Sequence, residues 1–80
     1  MLEVFGTMDE LQVLGERIRE IRIKRGLSIS GLADMAELNK SQIFRIENGL
    51  SDPHYSTLMK IARALEVNLS SFEVDHENLW

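Results

Sequence analysis

The 80-residue chain contains no cysteine, which excludes a disulfide framework and thiolate metal sites and suits a reducing, cytoplasmic setting. No apolar run approaches the roughly 20 residues that a membrane-spanning helix needs. No basic stretch followed by an apolar one opens the chain. Repeats and low-complexity tracts are missing too. Its two histidines, His54 and His76, lie far apart, and His54 follows Pro53 at a helix entrance, where capping is the ordinary role. Metal-ligand spacing, a phosphate-cradling glycine loop and a nucleophile–base pairing are all lacking. The expectation is a single small domain, not an enzyme, with no metal, no cofactor and no membrane contact.

Cations are missing from both ends of the chain. Residues 1–16 and 64–80 carry eight acids and no Lys or Arg, a local balance of −8. All nine Lys and Arg residues lie from Arg17 to Arg63 beside five acids, a local balance of +4 within a chain of net charge −4. Phosphate affinity follows local potential, because the Debye length is about 10 Å at 0.1 M salt. A basic middle therefore suits nucleic acid, although charges scattered over a small helical domain fit the same distribution equally well.

What is present is helical punctuation. Met1 to Thr7 shows no helical period and Gly6 interrupts it, so residues 1–8 are expected as an arm. From Asp9, Leu11, Leu14, Ile18 and Ile21 mark one face of a long helix ended by Gly26. Ser28 is an N-cap candidate for a second helix with Leu32, Ala33 and Ala36 inward. Asn39 can cap a third, Gln42 can close a capping box, and Gly49 can end it. Ile43 and Ile46 form its narrow apolar stripe, so Lys40, Ser41, Phe44, Arg45 and Asn48 face outward. Two short helices joined by a tight turn make a helix-turn-helix pattern, or equally an ordinary corner of a bundle. Pro53 introduces a fourth helix over Tyr55 to Leu65, and a last turn holds Leu69 and Phe72. The unit is expected to span residues 9–73, followed by an acidic tail over 74–80.

From Leu14 to Phe72 the chain resembles the lambda-repressor-like helix-turn-helix family of Cro/cI or XRE type. The resemblance is carried by Gly15-Glu-Arg-Ile18, Ile21-Arg22, Gly26-Leu-Ser28, Leu32-Ala33, Ile43, Arg45-Ile-Glu-Asn-Gly49, Pro53, Leu58, Ile61-Ala62 and Ala64-Leu65. It implies a compact all-α five-helix domain whose third helix, residues 40–48, enters the major groove of double-stranded DNA. Lys40, Ser41 and Arg45 match base-reading positions. Phe44 either meets a thymine methyl or packs on its own helix. Ser28 and Asn48 match phosphate-gripping places, Gln42 is grouped with them as a contact to backbone or base, and each also has a structural role as cap or helix-end residue. Arg22 and Glu47 match a structural ion pair tying the first helix to the third.

Three departures from that pattern stand out. Ile29 replaces a phosphate-contacting glutamine after the Ser28 cap, which sets an apolar side chain near the DNA face. Glu37 stands where the family usually turns with glycine, and a negative charge is expected near the same face. Glu66 likewise replaces a common glycine. The function implied is sequence-specific transcription regulation, as a repressor acting as a homodimer on a palindromic operator. The alternative is an interaction module of antitoxin or anti-repressor type that binds a regulatory protein partner. Leu69, Phe72, Leu79 and Trp80 either form the dimer contact or complete the monomer's own core.

Overall fold

The computed structural model describes residues 3–72, with side chains from Glu10 onward. Four α-helices, α1 (Glu3–Lys24), α2 (Ile29–Ala36), α3 (Lys40–Glu47) and α4 (Tyr55–Leu65), are followed by a 3-10 helix, Leu69–Phe72. The fold is all-α, and the fifth helical element is this single 3-10 turn. Helix α1 begins at Glu3, upstream of the Asp9 expected from the sequence. Extending an established helix adds one hydrogen bond per residue without a new nucleus. The glycine at position 6 costs only about 1 kcal/mol against that. The acidic segment 74–80, with Leu79 and Trp80, lies outside the described residues.

All four α-helices end in the same way. Each places a left-handed residue after its last turn: Gly26 at φ +72°, Glu37 at +61°, Gly49 at +71° and Glu66 at +61°. The backbone N–H groups of Leu27, Leu38, Leu50 and Val67 then reach back to carbonyls five residues earlier, at 2.8 to 3.1 Å. This is the Schellman arrangement, which satisfies orphan carbonyls and turns the chain sharply. Leu27, Leu38 and Val67 then pack against the core. The entrances are equally local. Ser28 Oγ accepts from Gly31 N at 2.9 Å. Asn39 Oδ1 accepts from Gln42 N at 2.9 Å, and Gln42 Oε1 accepts from Asn39 N at 3.0 Å, completing a capping box. His54 occupies the N-cap position of α4, yet its ring makes no cap hydrogen bond, so the expected capping role is not realised.

The core is assembled from every element. Ile18, Leu32, Ile43, Ile61 and Leu65 are fully buried, joined by Ala33, Ala36, Ile46, Ala62 and Phe72. Helix α3 packs against α1 and α2, while α2 also packs against α4 and the 3-10 helix closes on α1 and α4. The inward stripe of α3 is thus covered from two sides. Phe72 is only 3% exposed and Leu69 packs against the core. Both therefore complete the protomer's own interior, and Phe72 has no free face to offer a second copy.

Candidate nucleic-acid interface

Helix α3 is gripped by its C-terminal end. At Gly15, in the middle of α1, an added Cβ would come within 2.5 Å of the Glu47 carbonyl oxygen and closer still to that of Ile46. Only glycine lets the two backbones approach this closely. Two turns further along α1, Arg22 Nε donates to Glu47 Oε2 at 2.6 Å and Nη2 donates to Oε1 at 3.0 Å. The third nitrogen, Nη1, donates to the Leu27 carbonyl at 2.9 Å. Both side chains are buried, with Glu47 only 5% exposed. The hydrogen bonds to Glu47 push the guanidinium above its ordinary range, against the opposing effect of burial, and the carboxylate charge adds to the rise. No buried side-chain polar atom among the described residues lacks a hydrogen-bond partner. A fork-to-carboxylate pair of this kind fixes direction as well as distance.

The outward face of α3 is left open along its length. Lys40, Ser41, Gln42 and Arg45 are exposed, and the Phe44 ring is 50% exposed. Neither Lys40 nor Arg45 forms an ion pair among the described residues. The other side chains are partly engaged. Ser41 Oγ donates to Asn39 Oδ1 at 3.0 Å. The Gln42 carbonyl oxygen serves the capping box, which leaves its amide N–H groups for an acceptor. Asn48 Nδ2 donates to the Phe44 carbonyl at 2.8 Å, and Ser28 Oγ, occupied as an acceptor, keeps its own proton to donate.

Two recesses flank this surface. The first lies between α2 and α3 and is lined by Arg22, Ser28, Ile29, Ser30, Lys40, Ser41 and Phe44. The second lies beyond α3, where Arg45 and Gln42 meet Ser51, Asp52, Pro53, His54 and Thr57. The structure therefore brings Ser28, Lys40, Ser41 and Phe44 together and sets Arg45 and Gln42 on the opposite flank. Ser30, Ser51 and Thr57 join these flanks without any motif to announce them, since their place depends on how α2 packs on α3 and on where the connection from α3 to α4 runs.

Glu37 corrects an expectation. It lines a separate depression with Met35, Ala36, Lys60 and Arg63, on the side of α2 that meets α4. Lys60 and Arg63 line the same depression, and Glu37 is absent from the walls of the recess at Ser28 and Phe44.

The pattern of the helix-turn-helix family HTH_3 matches residues 18–72, more than half of the chain. The chain is 37% identical over 59 residues to the HTH-type transcriptional regulator SutR of Escherichia coli, covering 74% of this chain and 33% of the relative. It is 38% identical over 58 residues to the immunity repressor protein of Bacillus phage phi105, covering 72% of this chain and 40% of the relative. The chain thus spans a third to two-fifths of the length of these relatives. Among solved structures it is similar to the restriction-modification controller protein C.AhdI of Aeromonas hydrophila. That match has a TM-score of 0.79 at 30% identity, covering 80% of this chain and 97% of the other.

Proposed function

The chain belongs to the helix-turn-helix family HTH_3, and from that premise we propose that it reads double-stranded DNA through α3 and regulates transcription. The observation that carries the proposal is the asymmetry of α3. Gly15 and the Arg22–Glu47 pair hold its C-terminal end, while its outward face carries Lys40, unpaired among the described residues, and half-exposed Phe44. A helix presented this way suits entry into a major groove about 12 Å wide. Lys40, Ser41, Phe44 and Arg45 are the proposed base readers, and Ser28, Gln42 and Asn48 the proposed phosphate contacts. The names of SutR and of the phage immunity repressor support a regulatory, repressing role by occupancy of an operator. We assign this role to residues 9–73, with 1–8, which include the start of α1, as an arm and 74–80 as a tail. We further propose that it acts as a homodimer on a palindromic site, with half-sites one helical turn apart.

Selection from random duplex DNA at a stated moderate salt tests the proposal. Enrichment of a palindrome is the expected result. An unpaired half-site would remove the homodimer. No enrichment with folded protein would remove DNA reading altogether. At the selected site, Arg45→Ala should cost about 1–3 kcal/mol and relax preference at one base pair. Unchanged affinity and unchanged preference would strike Arg45 from the readers.

A further inference from the structure

We infer that Ile29 and Phe44 together form an apolar subsite for the 5-methyl group of a thymine, which makes Ile29 a specificity-determining residue. This rests on the proposal that α3 enters the major groove. Ile29 is the first residue of α2, directly after the Ser28 cap. One part of its side chain packs against the core, and the remainder lines the recess between α2 and α3. Phe44, half exposed, lines the same recess from α3. Two hydrophobic side chains on different helices thus meet one open groove whose other walls include Ser30, Lys40 and Ser41.

The chemistry of the occupant follows from these walls. A phosphate oxygen set against Ile29 and Phe44 would lose hydration with nothing to replace it. A base edge presenting only hydrogen-bonding atoms would fare little better. Among the four bases, thymine alone offers the major groove an apolar group, its C5 methyl, next to the O4 acceptor. The methyl would contact Ile29 and Phe44 in the recess they share, and the Lys40 ammonium, unpaired among the described residues, can donate to the neighbouring acceptor. A polar residue at position 29 would grip the backbone without reading sequence, whereas isoleucine there reads a methyl.

The test uses the full chain and the duplex recovered by selection, with each thymine replaced in turn by deoxyuridine. This deletes one methyl and leaves the protein untouched. One thymine per half-site should show binding about fourfold weaker on replacement, the effect of withdrawing one buried methyl-sized group. The same replacement should be silent in Phe44→Ala and in Ile29→Ser. Affinity independent of every thymine methyl, at a site that is still selected, overturns the subsite and leaves DNA reading intact. A methyl effect of the same size in both variants also overturns it. Failure to select any site, with capture of an apolar peptide in the groove instead, overturns both the subsite and the DNA reading on which it rests.

Discussion

The four helix ends supply a prediction whose order comes entirely from the structure. Gly26, Glu37, Gly49 and Glu66 all occupy the left-handed region, where an L-residue pays about 1–2 kcal/mol. Glycine escapes that cost but loses roughly 0.5–1 kcal/mol more conformational freedom on folding. Glu37→Gly should therefore stabilise the protein by about 0.5–1 kcal/mol, since Glu37 gives up no ion pair among the described residues. Glu66→Gly should gain less. It forfeits the contact from Arg25 Nη1 to Glu66 Oε1 at 3.2 Å, a small loss for an exposed pair.

The reverse changes complete the series. Nothing lies within 4 Å of a Cβ added at Gly26, so Gly26→Ala should lose only the backbone contribution, about 1 kcal/mol. A Cβ at Gly49 would sit 2.9 Å from Gln12 Cγ and 3.2 Å from its Cα. Gly49→Ala must therefore also push α1 away from α3, and it should be the most damaging of the four. Urea unfolding followed by circular dichroism measures each change. In a thermal melt, 1 kcal/mol corresponds to about 4–8 °C for a domain of this size. Glu37→Gly at or below wild-type stability would refute the reasoning, as would Gly26→Ala proving as costly as Gly49→Ala.

Three further outcomes are expected. Glu47→Ala leaves the Arg22 guanidinium buried without its carboxylate and should cost about 3–5 kcal/mol. The double variant Arg22→Met/Glu47→Leu should recover most of that, and a single-variant cost below about 1 kcal/mol, typical of exposed pairs, would contradict the buried clamp. Gly15→Ala should destabilise by about 1–3 kcal/mol through overpacking, checked by denaturant unfolding, and wild-type stability there would refute the close approach of α1 and α3. The guanidinium of Arg22 is raised above its ordinary range in the folded state, so its contribution is complete below that range and disappears only at higher pH. Stability curves of the wild type and the double variant should consequently run parallel from about pH 7 to about pH 9. Curves that converge with rising pH would show that Arg22 loses its proton within that window.

What the sequence by itself determined was the set of helices α2, α3 and α4 and most of their ends. Ser28, Asn39 with Gln42, Gly26 and Gly49 act on groups within five residues of themselves, so their chemistry is complete in the local string. The outward set Lys40, Ser41, Phe44 and Arg45 was legible for the same reason, because Ile43 and Ile46 alone fix which side of α3 is inward. The first helix was legible only in part. The apolar period that marks it starts at Leu11, whereas its backbone hydrogen bonds need no apolar face and continue back to Glu3.

Only the tertiary structure decided how those helices meet. A glycine inside α1 looks like a weak point in a one-dimensional string, and Gly15 acquires its purpose from two carbonyls more than thirty residues away. Glu37 lines a depression with Lys60 and Arg63 because α4 packs against α2, which is not written in its neighbours. Phe72 could have served a partner or the core, and it is the closing of the 3-10 helix on α1 and α4 that buries it. Ile29 gains a meaning only from Phe44 across the groove. Caps and periodicity work through bonds between near neighbours in the chain. Close approach, burial and shared recesses are properties of surfaces brought together from distant segments, and they exist only once the core has formed.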